Sequence, residues 1–126
     1  MKKIFVDTCV IIDFTKGKDK FLADLLQKQV LGEVELWVNG VVLTEFFTDK
    51  NLEDLKKRKK AEDLFKFFTM ADIDKEVALR TADLLRGGEV DYLGDGFIAA
   101  TCLVKCLELM TGNKRHFSKV KGLRVI

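Results

Sequence analysis

The sequence predicts an α/β sandwich, with helices packed around a largely parallel sheet, in a single domain spanning residues 1–126. Three observations carry that expectation. Short segments with strand character recur at 3–6, 35–38 and 107–110, the first apolar and β-rich, the second alternating with β-preferring residues. Stretches between them carry apolar residues at helical spacing, as Phe21, Leu22, Leu25, Leu26 and Val30 do. Turn formers separate the two kinds of segment at Gly17, Gly32, Asn39-Gly40 and Gly87-Gly88. A chain of 126 residues is long enough to bury a core without disulfide or metal staples.

Residues 3–6 read as a fully buried strand that ends at Asp7-Thr8, and 9–14 as a short helix. An amphipathic helix follows over 19–31, and a second strand over Glu35 to Val38. Asn39-Gly40 reads as a turn before a helix over 41–48. Asn51 is the expected N-cap of a helix running to about Phe68, with Leu52, Leu55, Leu64, Phe65 and Phe68 on its apolar face. Ala71 to Ile73 is a very short strand candidate. Asp74 caps a helix over Lys75 to Leu85, stopped by Gly87-Gly88. Residues 89–94 are a loop, Asp95 to Leu103 or beyond an apolar helix, and Leu107 to Met110 and Leu123 to Ile126 the last strands.

Hydrophobic residues make up 48% of the chain and charged residues 33%, the balance of a globular protein and not of a disordered one. The net charge of +2 is too small to imply nucleic-acid binding by itself. Lys56, Lys57, Arg58, Lys59 and Lys60 form a basic run that reads as a solvated helix face in preference to a phosphate-binding surface. No stretch reaches the roughly 18–20 apolar residues of a membrane span. Three cysteines and a short strand-like run after Met1-Lys2-Lys3 predict a reducing cytoplasm. With one histidine, His116, to join them, Cys102 and Cys106 lack the partners of a metal site; both, and Cys9, read as small buried hydrophobes.

Four carboxylates interrupt apolar surroundings. Asp7 ends Ile4-Phe5-Val6, Asp13 follows a second apolar run, Glu45 sits in Val41-Val42-Leu43-Thr44-Glu45-Phe46-Phe47, and Asp95 opens Asp95-Gly96-Phe97-Ile98-Ala99-Ala100-Thr101. An ionised carboxylate is costly to bury unless a charge or metal compensates it. Several converging on one pocket point to a hard divalent cation such as Mg²⁺, held by carboxylates and waters. Ligands of parallel α/β sheets gather beyond the carboxyl ends of strands, where Asp7 and Thr111-Gly112-Asn113 are expected. Each acid also has a plain structural reading. Asp95, between two glycines, suits a helix N-cap; Glu45 would pair with a surface lysine; Asp7 would simply end a strand. Asp13 either caps a turn or supports the site from behind, and His116 reads as a loop histidine.

Taken together the motifs resemble those of PIN-domain nucleases. Ile4-Phe5-Val6-Asp7-Thr8-Cys9-Val10-Ile11-Ile12-Asp13 looks like the opening motif and Val41-Val42-Leu43-Thr44-Glu45-Phe46 like the second. The Asp95–Thr101 run resembles the third, and Thr111-Gly112-Asn113-Lys114-Arg115-His116-Phe117 with Val120-Lys121-Gly122-Leu123 the fourth. The compact length resembles the VapC-type toxins of toxin–antitoxin pairs. The resemblance implies a PIN-like three-layer sandwich with a five-stranded, mainly parallel sheet. It implies RNA cleavage dependent on Mg²⁺ or Mn²⁺, a cognate antitoxin that blocks the acidic pocket, and a homodimer. Asp7, Glu45 and Asp95 would be the catalytic residues and metal ligands, close enough to share an ion, with Thr8, Thr111 and Asn113 in support.

The fourth motif departs from the family pattern, because neither Asn113 nor His116 is acidic. That departure supports a competing reading, a catalytically weak PIN-like module that binds RNA or protein. A phosphoacceptor signalling domain also gathers aspartates at strand ends. It needs an adjacent acidic pair after the first strand, which Asp7-Thr8 lacks.

Overall fold

The computed structural model describes residues 1–126. Helices flank one parallel sheet of four strands: β1 (Lys2–Val6), β2 (Val34–Asn39), β3 (Thr69–Ala71) and β4 (Glu108–Met110), in the order β3-β2-β1-β4. Ile4, Phe5 and Val6 are consecutive and all buried, the pattern of a central strand covered on both faces. The fifth strand expected over Leu123–Ile126 shrinks to one parallel bridge between Leu109 and Val125. It lies at the sheet edge, beside a strand of three residues that offers little length to pair with.

The helices are α1 (Thr8–Thr15), α2 (Phe21–Val30), α3 (Gly40–Phe47), α4 (Leu55–Phe65), α5 (Lys75–Arg86) and α6 (Leu93–Lys105). Their starts follow side-chain chemistry. Asp54 accepts from the Lys56 N–H and Asp74 from the Val77 N–H, each supplying a partner that the first helical turn lacks. The cap of α4 is therefore Asp54, not Asn51; Asn51 lies in a 3₁₀ turn, Lys50–Glu53, capped by Asp49. The later start turns Leu55 away from the core, and it is 80% exposed. Strand β3 likewise begins two residues before the expected Ala71.

The core joins the sheet to α1, α3, α5 and α6 through residues such as Phe5, Ile11, Leu36, Val42, Leu84 and Ile98. Phe46, Phe47, Phe65 and Phe68 pack edge to face or tilted, with centroids 5.1–5.7 Å apart. Outside this cluster, Phe21 (73%) and Phe67 (55%) stay exposed. Cys102 is buried as expected, but Cys106 is exposed and closes α6 in the left-handed region at φ 57°.

Helices α5 and α6 meet where Gly96 faces Thr81. A Cβ at Gly96 would stand 3.0 Å from Thr81 Cγ2 and 3.5 Å from Leu85 and Val90 carbons. Gly96→Val is expected to destabilise the protein by about 2 kcal/mol through overpacking, read as a lower urea midpoint with an unchanged slope.

Candidate active site

The strand order reverses at β1: the chain moves outward through β2 and β3, then returns to place β4 on the other side of β1. A crevice opens beyond the carboxyl ends of strands at such a point. Val6 pairs with Met110, so the residues that follow, Asp7 and Thr111, emerge side by side. The Asp7 N–H donates to the Met110 carbonyl at 2.9 Å, extending the ladder one step into the crevice.

Asp7 is 4% exposed and every contact fixes its carboxylate. Oδ1 accepts from the Thr8 N–H at 2.7 Å, which caps α1. Oδ2 accepts from the Thr111 hydroxyl at 2.7 Å and from the Cys9 thiol at 3.6 Å. The Thr111 hydroxyl oxygen in turn accepts from the Asn113 N–H at 2.9 Å. Burial, reinforced by the Asp7 charge, pushes the Cys9 thiol pKa up, so the sulfur stays protonated and able to donate. Cys9 is thus half-buried against the acidic centre, not an inert core side chain.

Glu45 arrives from the last turn of α3 and is exposed where the sequence context suggested burial. It pairs with no lysine; the Thr8 hydroxyl donates to its Oε1 at 2.7 Å. Residue 94 also bears on Glu45, because a Cβ there would stand 3.4 Å from Oε2. The start of α6 thus lies beside the Glu45 carboxylate.

Asp95 does not cap α6. The N-cap is Tyr92, without a side-chain bond, and Asp95 is the third helical residue, where the helix dipole favours an anion. Its Oδ2 lies 2.9 Å from His116 Nδ1, and the Tyr92 ring lies 5.5 Å from the imidazole. Burial raises the Asp95 pKa first; His116 opposes that shift, and the charges of Asp7 and Asp91 add to it. The pairing with His116 spans 21 residues and was not read from the sequence.

Asp7, Glu45 and Asp95 line one cavity of about 530 Å³ with Thr8, Cys9, Ile12, Tyr92, Gly94, Asn113 and His116. The expectation that the three carboxylates lie close enough to share an ion is not met: no three Asp, Glu, His or Cys side chains are placed to ligate one ion, and Thr8, Thr111 and His116 each engage one of the carboxylates. Asp13 stands apart: it is exposed and borders a different concavity with Lys18 and Asp19. The donor set suits a hard divalent cation. Three carboxylates face one cavity and none is paired with lysine or arginine.

A parallel sheet with acids converging at its switch point defines the class, and the chain belongs to the PIN domain family, whose model matches residues 4–123. A curated relative, Ribonuclease VapC1 of Methanocaldococcus jannaschii, is 27% identical over 130 residues, covering 98% of this chain and 86% of that protein. The fold is also similar to DNA-bound VapBC from Salmonella typhimurium, with TM-score 0.80 and 23% identity over 100% of this chain and 98% of that one. VapBC-1 from nontypeable Haemophilus influenzae gives 0.78 and 21% over 98% and 96%. A toxin–antitoxin complex from Klebsiella pneumoniae gives 0.74 and 22% over 98% and 95%.

Proposed function

We propose that this protein is a metal-dependent ribonuclease, the toxin of a toxin–antitoxin pair. The observation that carries the reading is the single cavity lined by Asp7, Glu45 and Asp95, which come from three separate segments of a PIN fold. The ribonuclease relative and the toxin–antitoxin complexes of similar fold support it. Asp7, Glu45 and Asp95 would hold Mg²⁺ or Mn²⁺. A bound ion would supply charge neutralisation at the phosphate and a lower pKa for water.

Hydrolysis joins a water oxygen to phosphorus while one ester bond breaks, and a proton passes from that water to the leaving oxygen. Thr111 and the Thr8 N–H hold Asp7 in place, and the Thr8 hydroxyl holds Glu45. Asn113 offers an amide at the cavity wall, able to orient water or a phosphate oxygen without adding charge. The cysteine content supports a cytoplasmic location, and by the same resemblance the protein is restrained by a cognate antitoxin and forms a homodimer; the exposed Phe21 and Phe67 are candidates for such contacts. No helix is long and apolar enough to cross a membrane.

RNA cleavage by the purified protein is expected to stop with chelator and to return with Mg²⁺ or Mn²⁺. In calorimetric titration, Asn113→Asp is expected to tighten Mn²⁺ roughly tenfold by adding a charged oxygen, while His116→Ala changes affinity little, since imidazole suits softer ions. A loss in His116→Ala as large as that in Asp7→Asn would show that the ligand set is wrong. The neutral Asn113 favours one alternative, a catalytically weak PIN module that binds RNA or protein. Sustained absence of metal-stimulated cleavage, with RNA binding retained, would favour that alternative.

A further inference from the structure

A second concavity adjoins the acidic cavity. It has a volume of about 700 Å³ and lies between α1, α3, the 3₁₀ turn and α4. Ile12 and Glu45 line both, so the groove leads directly to the carboxylates. Its cations are Lys16, Lys57 and Lys60.

The basic run on α4 is divided by helical periodicity. Arg58 pairs with Glu62 at 2.9 Å and Lys59 with Asp63 at 2.8 Å, which neutralises the outer face. Lys57 and Lys60, three apart and therefore on one face, border the groove and form no ion pair; nor does Lys16 across from them. Asp49 is the opposing charge on the same wall, apart from Glu45 at the junction. Two of the three unpaired lysines of α4, Lys57 and Lys60, are thus turned toward the groove, and the third, Lys56, lies outside it. Apolar Ile12 and Leu64 line it as well.

We propose that this groove carries the single-stranded RNA that flanks the scissile phosphate, with Lys16, Lys57 and Lys60 on its backbone. The assignment rests on the ribonuclease reading. Phosphates repelled by the acidic cavity need cations beside it, and the free lysines stand along the path that leaves Glu45. Ile12 and Leu64 give bases or riboses an apolar surface.

The test uses the full chain carrying Asp7→Asn, to prevent cleavage, and a labelled single-stranded RNA long enough to run past both ends of the groove. Anisotropy is measured across a salt series for three proteins: this parent, the parent with Lys57→Ala and Lys60→Ala, and the parent with Arg58→Ala and Lys59→Ala. The last pair removes the same charge from the same helix. Loss of Lys57 and Lys60 is expected to weaken binding roughly tenfold and to lower the salt slope by about 1.4, two single-strand phosphate contacts. The Arg58 and Lys59 pair is expected to stay close to the parent. Equal effects from the two pairs would overturn the groove assignment while leaving the ribonuclease reading intact. Absence of RNA binding by the parent, with no cleavage by the wild-type protein, would overturn both. Unchanged RNA affinity in the lysine pair, with sedimentation shifted from dimer to monomer, would give the groove to a second copy of the chain and overturn it as well.

Discussion

Asp7→Asn is expected to reduce RNA cleavage by roughly a thousandfold, about 4 kcal/mol of transition-state stabilisation, while the protein remains folded. The asparagine keeps the shape and one acceptor oxygen, so the Thr8 N–H cap survives. Its amide replaces the oxygen that accepts from Thr111 at 2.7 Å. Thr111 then rotates to accept, and the folding cost stays near 1 kcal/mol. What is lost is a full negative charge at the most enclosed position of the cavity. Cleavage rates compared at saturating Mg²⁺, with circular dichroism as the folding control, check both halves of this expectation. A rate equal to wild type would remove Asp7 from the catalytic set.

The largest effect on stability is expected from Asn39→Ala, at roughly 3 kcal/mol, or about 10 °C in Tm. Asn39 is 0% exposed at the end of β2. Its Oδ1 accepts from the Val41 and Val42 N–H groups at 3.1 and 3.2 Å, capping α3. Its Nδ2 donates to Thr101 Oγ1 at 3.0 Å, and the Thr101 hydroxyl donates to the Phe97 carbonyl at 2.6 Å within α6. One side chain therefore ties β2 to both the helix that carries Glu45 and the helix that carries Asp95. Alanine leaves buried donors without partners and loosens that tie, so activity is expected to fall along with Tm. Thermal denaturation gives the first effect; cleavage at a temperature where the variant is still folded gives the second. Asn39→Ser, which keeps a capping oxygen, is expected to recover part of the loss.

Asn39 also shows where sequence reasoning stops. Asn-Gly is turn chemistry at the level of two residues, and a helix does begin there. The hydrogen bond from Asn39 to Thr101, 62 residues away, depends on how helices pack and leaves no local trace. The three acids were legible for the opposite reason: each breaks an apolar run, and a charge in such a place needs an explanation nearby in space. Thr8 and Thr111 stood out in the sequence as hydroxyls beside acids, but their hydrogen bonds to Glu45 and Asp7 respectively did not.

Strand β1 could be read from the unbroken apolar run Ile4-Phe5-Val6, because both of its faces are covered there. The start of α4 could not. Asp49, Asn51 and Asp54 all offer capping side chains within six residues, and only the tertiary path selects two of them. The Asp95 cap was a reasonable local inference from Gly94 and Gly96. Gly96 instead serves close approach to Thr81, and Gly94 lies beside Glu45. The helix starts at Leu93, and the Asp95 carboxylate faces the cavity.

Crystals grown or soaked in Mn²⁺, with anomalous scattering to locate the ion, test the central claim most directly. The expected result is an anomalous peak within the cavity at oxygen-ligand distances of roughly 2.0–2.3 Å from the Asp7 and Asp95 carboxylates, with Glu45 direct or through water. His116 Nδ1 lies 2.9 Å from Asp95 Oδ2, and the same maps show whether that contact persists beside the ion. A cavity without a peak at saturating Mn²⁺, in a protein that still cleaves RNA in the same solution, would contradict the assignment of Asp7, Glu45 and Asp95 as its metal centre.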